Sequence, residues 1–247
     1  MYKLIRHTLG FFVSLRTTLW SLLFLLIMLL GGACIMPLKE EFQSIHSLPL
    51  FGWMKEQPLG ITWWLWASVG LLSVLTANTL FCSIESVIRK RRNAQWLLLI
   101  SPQIIHIGFL VILLAHFLSA MGSFKGMAVA REGASFNLPN NTTLQVRSIT
   151  ISVDSYGYVS DWAVDVAYLS EGRMVHEELL MPNRPSLREG LGVYVKDLRA
   201  SPEKTVLLEI TREPGAPWAL AGGVLFLSGT VMLVLLKTGR EGRSEAG

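Results

Sequence analysis

Cysteine and charge are both scarce in this sequence. Only two cysteines, Cys34 and Cys82, occur in 247 residues. Neither belongs to a C-x-x-C pair, and no C-x-x-C-H haem-attachment motif is present. The chain is therefore neither a thiol–disulfide carrier nor itself a c-type cytochrome. Charged residues make up 16% of the chain, and the long apolar runs contain no aspartate or glutamate at all. An intramembrane proton relay normally carries carboxylates, so that function loses its main support. No glycine-rich phosphate loop and no H-E-x-x-H occurs, which removes the nucleotide-binding and zinc-peptidase signatures. Internal repeats and low-complexity segments are also absent. In the polar part of the chain, only His176, Glu177 and Glu178 cluster. Without a second histidine they make a weak metal candidate.

What is abundant is oil. Hydrophobic residues make up 51% of the chain, and the mean hydropathy is +0.44. The apolar residues fall into blocks of about 20, the length that crosses roughly 30 Å of hydrocarbon. These blocks run over 19–37, 61–82, 102–121 and 217–236. Basic residues in short loops stay cytoplasmic. Lys3, Arg6 and Arg16 precede the first block, Arg89, Lys90, Arg91 and Arg92 separate the second and third, and Lys237, Arg240 and Arg243 follow the fourth. In the loop between the first two, Lys39 and Lys55 are balanced by Glu40, Glu41 and Glu56. Both termini are therefore expected inside, and the polar segment 122–215 outside, in a bacterial periplasm. Four basic residues beside a span are an orientation signal, so no nucleic-acid partner is expected. Cys34 and Cys82 are expected near opposite faces of the bilayer, too far apart for a disulfide. "LLGGAC" also loosely resembles a lipoprotein cleavage site ending at Cys34, with Gly31 where leucine is usual; cleavage there would remove span one as a signal peptide.

The expected fold class is an α + β membrane protein. Four transmembrane helices, three N-terminal and one C-terminal, carry a small antiparallel β-rich extracytoplasmic domain. The expected organisation is an amphipathic interfacial segment over 1–18, a three-helix membrane region over 19–121, the outer domain over 122–215, a fourth span over 216–236 and a cytoplasmic tail over 237–247. Trp20, Trp53, Trp63, Trp64, Trp66, Trp96 and Trp218 fall near span ends, as an aromatic belt does. Ser101 and Pro102 read as the cap and first residue of span three, leaving "NAQWLLLI" as a separate short interfacial helix. In the outer domain "TTLQVRSITISV", "DWAVDVAYL", "RMVHEELLM", "LGVYVKDL" and "KTVLLEITR" alternate like strands, with "SEG" as a hairpin turn. About six short strands are expected in a sandwich or barrel fragment.

Two histidines, His106 and His116, sit in the third span, "SPQIIHIGFLVILLAH". An imidazole at membrane depth faces a bundle interior, a cavity or a partner. Ten residues separate the two, so their side chains stand about 15 Å apart along the axis and about 80° apart around it. They cannot ligate opposite faces of one haem. Haem iron is the main use for a neutral imidazole in an oily site, and the alternative is a hydrogen bond to a neighbouring helix. His106 is the stronger candidate as metal ligand. His116, nearer the outer face, is a candidate for cofactor binding or for a structural role.

Several stretches, in order, resemble the ResB (CcsB) family of System II cytochrome c biogenesis. They are "VSLRTTLWSLLFLL", "LTANTLFCSIESVIRK", "IIHIGFLVILLAHFLSAMGSFKGMAVAREGASFNLP", "LMPNRPSLREGLGVYVKDL" and "EPGAPWALAGGVLFLSGTVMLVLL". The likeness covers nearly the whole chain, with a shorter outer domain than full-length members have. It implies one subunit of a cytochrome c synthase, working with a CcsA (ResC)-type multi-span partner. That pair takes haem b to the outer face and attaches it to apocytochrome c. The resemblance places a haem-ligating role on His106, in "H-I-G", and assigns no counterpart to His116. It implies that haem b is held transiently and shared with the partner, and that this chain alone is inactive as a synthase. Two other readings stay open: a b-type haem electron-transfer subunit, and a haem-free assembly or scaffold subunit.

Overall fold

The computed structural model describes residue 10 and residues 14–90, 96–156 and 158–245. Most of the amphipathic lead-in and the centre of the basic loop, 91–95, lie outside the described residues. The chain forms two compact units: Met1–Ile45 with Pro49–Met121 and Pro214–Gly247, and His46–Leu48 with Gly122–Glu213.

The helical unit contains α1 (Leu15–Ile35), α2 (Leu50–Glu56), α3 (Leu59–Lys90), α4 (Trp96–Gly122) and α5 (Ala216–Glu245). Four stretches are long and apolar enough to cross a membrane: Leu15–Leu38, Leu59–Ile88, Ile100–Gly122 and Ala216–Thr238. Large apolar side chains such as Leu19, Phe24, Leu26, Leu227 and Leu235 stand exposed along them. A soluble protein does not display such surface in continuous stripes, and lipid is its natural cover. The chain is an α + β membrane protein.

Within this unit the helices are joined by small and polar residues, because apolar side chains gain nothing from leaving lipid. Thr18 of α1 donates a 2.7 Å hydrogen bond to Asn78 Oδ1 of α3, and Asn78 is buried. Helices α4 and α5 meet along glycines. A Cβ on Gly222 would stand 2.8 Å from the Ile112 nitrogen and 2.9 Å from the Gly108 carbonyl oxygen. One on Gly229 would stand 2.9 Å from the Ile105 nitrogen. Gly215, Gly222 and Gly229 recur every seven residues, as do Ser101, Gly108, Ala115 and Gly122. Two seven-residue small-residue rows form one seam.

Two expectations need correction here. Ser101 and Pro102 do not begin a helix: α4 runs unbroken from Trp96, with Pro102 inside it and Ser101 fully buried. Pro102 is the seventh residue of α4, so its ring costs one backbone bond near an end that is already short of them. The tryptophans also divide. Trp20, Trp63, Trp96 and Trp218 are exposed, but Trp53 and Trp64 are buried with Phe42 and Met54. Trp64 packs flat over Gly32, which has no side chain to oppose it, and Trp53 Nε1 donates to Ser44 Oγ at 3.1 Å. These two rings are core, not belt.

The β-rich unit has eight strands rather than about six: β1 (Phe124–Arg131), β2 (Ser135–Asn137), β3 (Thr143–Val153), β4 (Val159–Ser170), β5 (Arg173–Leu180), β6 (Ser186–Arg188), β7 (Leu191–Arg199) and β8 (Thr205–Arg212). They form two antiparallel four-stranded sheets, ordered β1-β8-β7-β6 and β2-β3-β4-β5. Inward residues of both sheets share one core, including Leu144, Val146, Val164, Val166, Val193, Val206 and Leu208. β2 and β6 have three residues each, too few to show alternation, and β1 is interrupted by Gly126 and two alanines. The β4–β5 hairpin turns at Glu171 (φ 51°) and Gly172 (φ 76°), the two positive φ values a two-residue turn of right-twisted strands requires. The edge strand β1 is not bare: the Lys125 N–H donates to the His46 carbonyl at 2.9 Å.

Candidate functional site

The site begins with the spacing His106-Ile107-Gly108 on α4. Two residues of helix turn the chain by about 200°, so His106 and Gly108 occupy opposite faces. Gly108 is buried against α5. His106, half-buried, faces α3, where its Nδ1 lies 2.7 Å from Ser83 Oγ. The imidazole is thus turned toward protein rather than outward, and one of its two nitrogens is already engaged.

Ser83 stands out on its helix. Thr62, Ser68, Ser73, Thr76 and Thr79 of α3 all donate their hydroxyl to the carbonyl four residues back. That is the usual resting place of a hydroxyl in a transmembrane helix. Ser83 Oγ meets His106. The sequence could not show this partner, because serine at a span end is unremarkable and the contact is 23 residues away in the chain.

One turn before His106, on the same side of α4, Gln103 carries a buried Nε2 with no hydrogen-bond partner among the described residues. His116 is exposed. It shares no contact with His106 and stands about 80° round the helix from it, as the ten-residue spacing requires. The two histidines are therefore not one site. The neighbouring ring pair Phe51–Phe117, with centroids 5.8 Å apart, ties α2 to α4 near the level of His116.

The cofactor implied by the sequence resemblance can be tested against these groups. A haem-ligating imidazole needs one nitrogen held and the other left for iron, with little water around it. His106 offers Nδ1 against Ser83 Oγ, Nε2 as the second nitrogen, and an unmet Gln103 amide donor one turn away. The residues present fit a haem iron through one nitrogen, that of His106, which would hold it from this chain's side.

In the β-rich unit the polar residues make fold-building links. Tyr168 O–H donates to Ser186 Oγ at 2.6 Å, and Ser186 O–H donates to Glu178 Oε2 at 2.6 Å. This chain ties β4 and β5 of one sheet to β6 of the other. Burial pushes the Tyr168 phenol above its ordinary range. His176 Nε2 is 3.9 Å from the same Glu178 oxygen. Among the described residues no group of three or more His, Cys, Asp or Glu is placed to hold a metal ion. Asn183 (φ 59°) takes the left-handed turn before β6, and the Tyr194 ring lies over Gly192, where a Cβ would stand 2.6 Å from it.

No family model matches the chain, and no curated protein matches it. Among solved structures it is similar to one described as cytochrome c haem lyase CcmF. The TM-score is 0.45 and the identity 14%, over 89% of this chain and 34% of that one. This chain thus spans about a third of the length of the structure it matches. At that identity and score, the likeness assigns neither family nor activity.

Proposed function

We propose that this chain is a ResB-like, haem-handling subunit of a cytochrome c synthase in the bacterial inner membrane, with both termini cytoplasmic and the β-rich unit periplasmic. It works with a CcsA/ResC-type multi-span protein and takes apocytochrome c as client. The observation that carries this reading is the oriented imidazole of His106 inside a span, with Nδ1 held at 2.7 Å by Ser83. The ordered resemblance along the sequence supplies the rest.

When bound, haem b supplies the vinyl carbons to which client thiols add. The chain's own residues do simpler work. His106 would offer one nitrogen, its direction fixed by the contact with Ser83. Cys34 and Cys82, on separate helices and not joined in a disulfide, form no C-x-x-C pair, so client thiols meet no competing dithiol here. His106 is the one nitrogen this site would offer to haem iron, so any second ligand would come from another chain. That favours a shared site over a self-contained b-type electron carrier, which would need two facing histidines within its own spans.

Co-purification with the partner and a reduced-minus-oxidised spectrum tests the proposal. Haem is expected in the complex, with at least a several-fold loss in His106→Ala and little change in His116→Ala. Haem retained undiminished in His106→Ala points to electron transfer through other ligands, and no haem in either sample leaves a scaffold.

A further inference from the structure

The one hydroxyl on α3 that faces the histidine has a consequence for which imidazole nitrogen is free. A serine hydroxyl is both donor and acceptor. A neutral imidazole carries one proton, on either nitrogen, and the partner of one nitrogen decides the state of the other. We propose that Ser83 is a positioning residue that sets the tautomer of His106 and exchanges roles when the ring takes a ligand. The inference rests on the haem reading for the identity of that ligand, but not for the hydrogen bond itself.

In the ligand-free state Ser83 O–H donates to Nδ1, and the imidazole proton sits on Nε2. No carbonyl four residues back takes the Ser83 hydroxyl, although Thr62, Ser68, Ser73, Thr76 and Thr79 all find theirs. The hydroxyl has thus given up the usual helical partner for the ring. In the liganded state Nε2 must present a lone pair, so the ring proton sits on Nδ1 and is donated to Ser83 Oγ. Ser83 Oγ then acts as acceptor, and its own proton turns away from the ring. Proton count is the same in both states: one on the ring, one on the serine. Alanine at this position leaves the Nδ1 proton without an acceptor in an apolar site. Orienting partners of metal-ligating histidines are worth about 10–100-fold in affinity.

The experiment has two arms on the full-length chain in detergent micelles. In the first, with no haem added, 15N-histidine NMR reads the His106 tautomer. The Nε2-protonated form is expected, with Nδ1 as a hydrogen-bond acceptor, and that acceptor signature is lost in Ser83→Ala and kept in Ser83→Thr. In the second, haem b is titrated into the wild type, His106→Ala, Ser83→Ala and Ser83→Thr. His106→Ala is expected to lose the high-affinity phase, Ser83→Ala to weaken it about tenfold or more, and Ser83→Thr to restore it. Unchanged NMR signals in Ser83→Ala overturn the positioning role whatever haem does. Haem affinity lost in His106→Ala but unchanged in Ser83→Ala overturns it as well. Haem affinity untouched by His106→Ala overturns the haem reading instead, and the NMR arm then still decides the hydrogen bond.

Discussion

Glu209 of β8 is a carboxylate with only 7% of its side chain exposed, facing Lys125 Nζ at 2.5 Å and Lys196 Nζ at 3.3 Å. Burial alone would raise its pKa, but the two ammonium groups outweigh that and hold it below the usual glutamate range. The folded pKa is depressed, so the contribution to stability is fully present above the unfolded value, about 4.3. It is lost as pH falls through the folded value. Hydrogen exchange of β8 amides in the full chain should therefore show a loss of protection below about pH 4.3. In Glu209→Gln that acid slope should shrink, with about 1–3 kcal/mol of stability gone already at neutral pH. An unchanged acid slope in the variant would mean that other carboxylates dominate. Glu132 illustrates a quieter residue-scale role. Its Oε1 accepts the Ile149 N–H at 2.8 Å, just past the register shift between Val146 and Ser148. The "REG" stretch is thus read by the fold: Glu132 receives a bulge's loose donor, and Gly133 takes φ 85°.

At the scale of elements, the glycines of the last span separate cleanly. Gly222 has backbone of α4 within 3 Å of where a Cβ would stand, whereas Gly223 has nothing within 4 Å. Backbone cannot move aside as a flexible side chain can, so Gly222→Ala is expected to push α5 off α4 at a cost of about 1–3 kcal/mol. Gly223→Ala should be neutral, or stabilising by up to about 1 kcal/mol through helix propensity. Thermal unfolding of the two variants in one detergent checks this, and equal midpoints would sink the seam. This seam also shows what the sequence made legible. Span positions, strand periodicity in β3, β4, β5, β7 and β8, and the "SEG" turn all follow from periods and turn chemistry. The length-three strands β2 and β6 carry no period to read. The start of α4 is not legible, because Ser-Pro is a good cap wherever a helix has freedom to begin, and here the apolar run from Trp96 stays helical. His106 was legible as a candidate, because an imidazole is costly in oil. Ser83 was not, because its role exists only once α3 and α4 are side by side.

For the whole molecule, the question is which side each part occupies, and charge sets the expectation to be tested. The loop after span one carries two lysines against three glutamates, and the segments bearing Arg89 to Arg92 and Lys237 to Arg243 carry the basic excess. In the proposed topology four crossings bring both ends to one side, and the positive-inside tendency makes the cytoplasm the expected side. On the proposed topology the β-rich unit is expected outside. Cysteine labelling can test this, because the native thiols are only two: Cys34→Ser with Cys82→Ser gives a clean background. Tyr156 is 86% exposed on the β3–β4 turn, so Tyr156→Cys should react with a membrane-impermeant maleimide in intact spheroplasts. Ser244→Cys, beyond the last span, should react only after lysis. The reverse pattern would place the oriented imidazole of His106 toward the outer face instead of the inner one. Haem arriving from the cytoplasm would then reach it last, and a role in export would give way to one in holding haem beside the client.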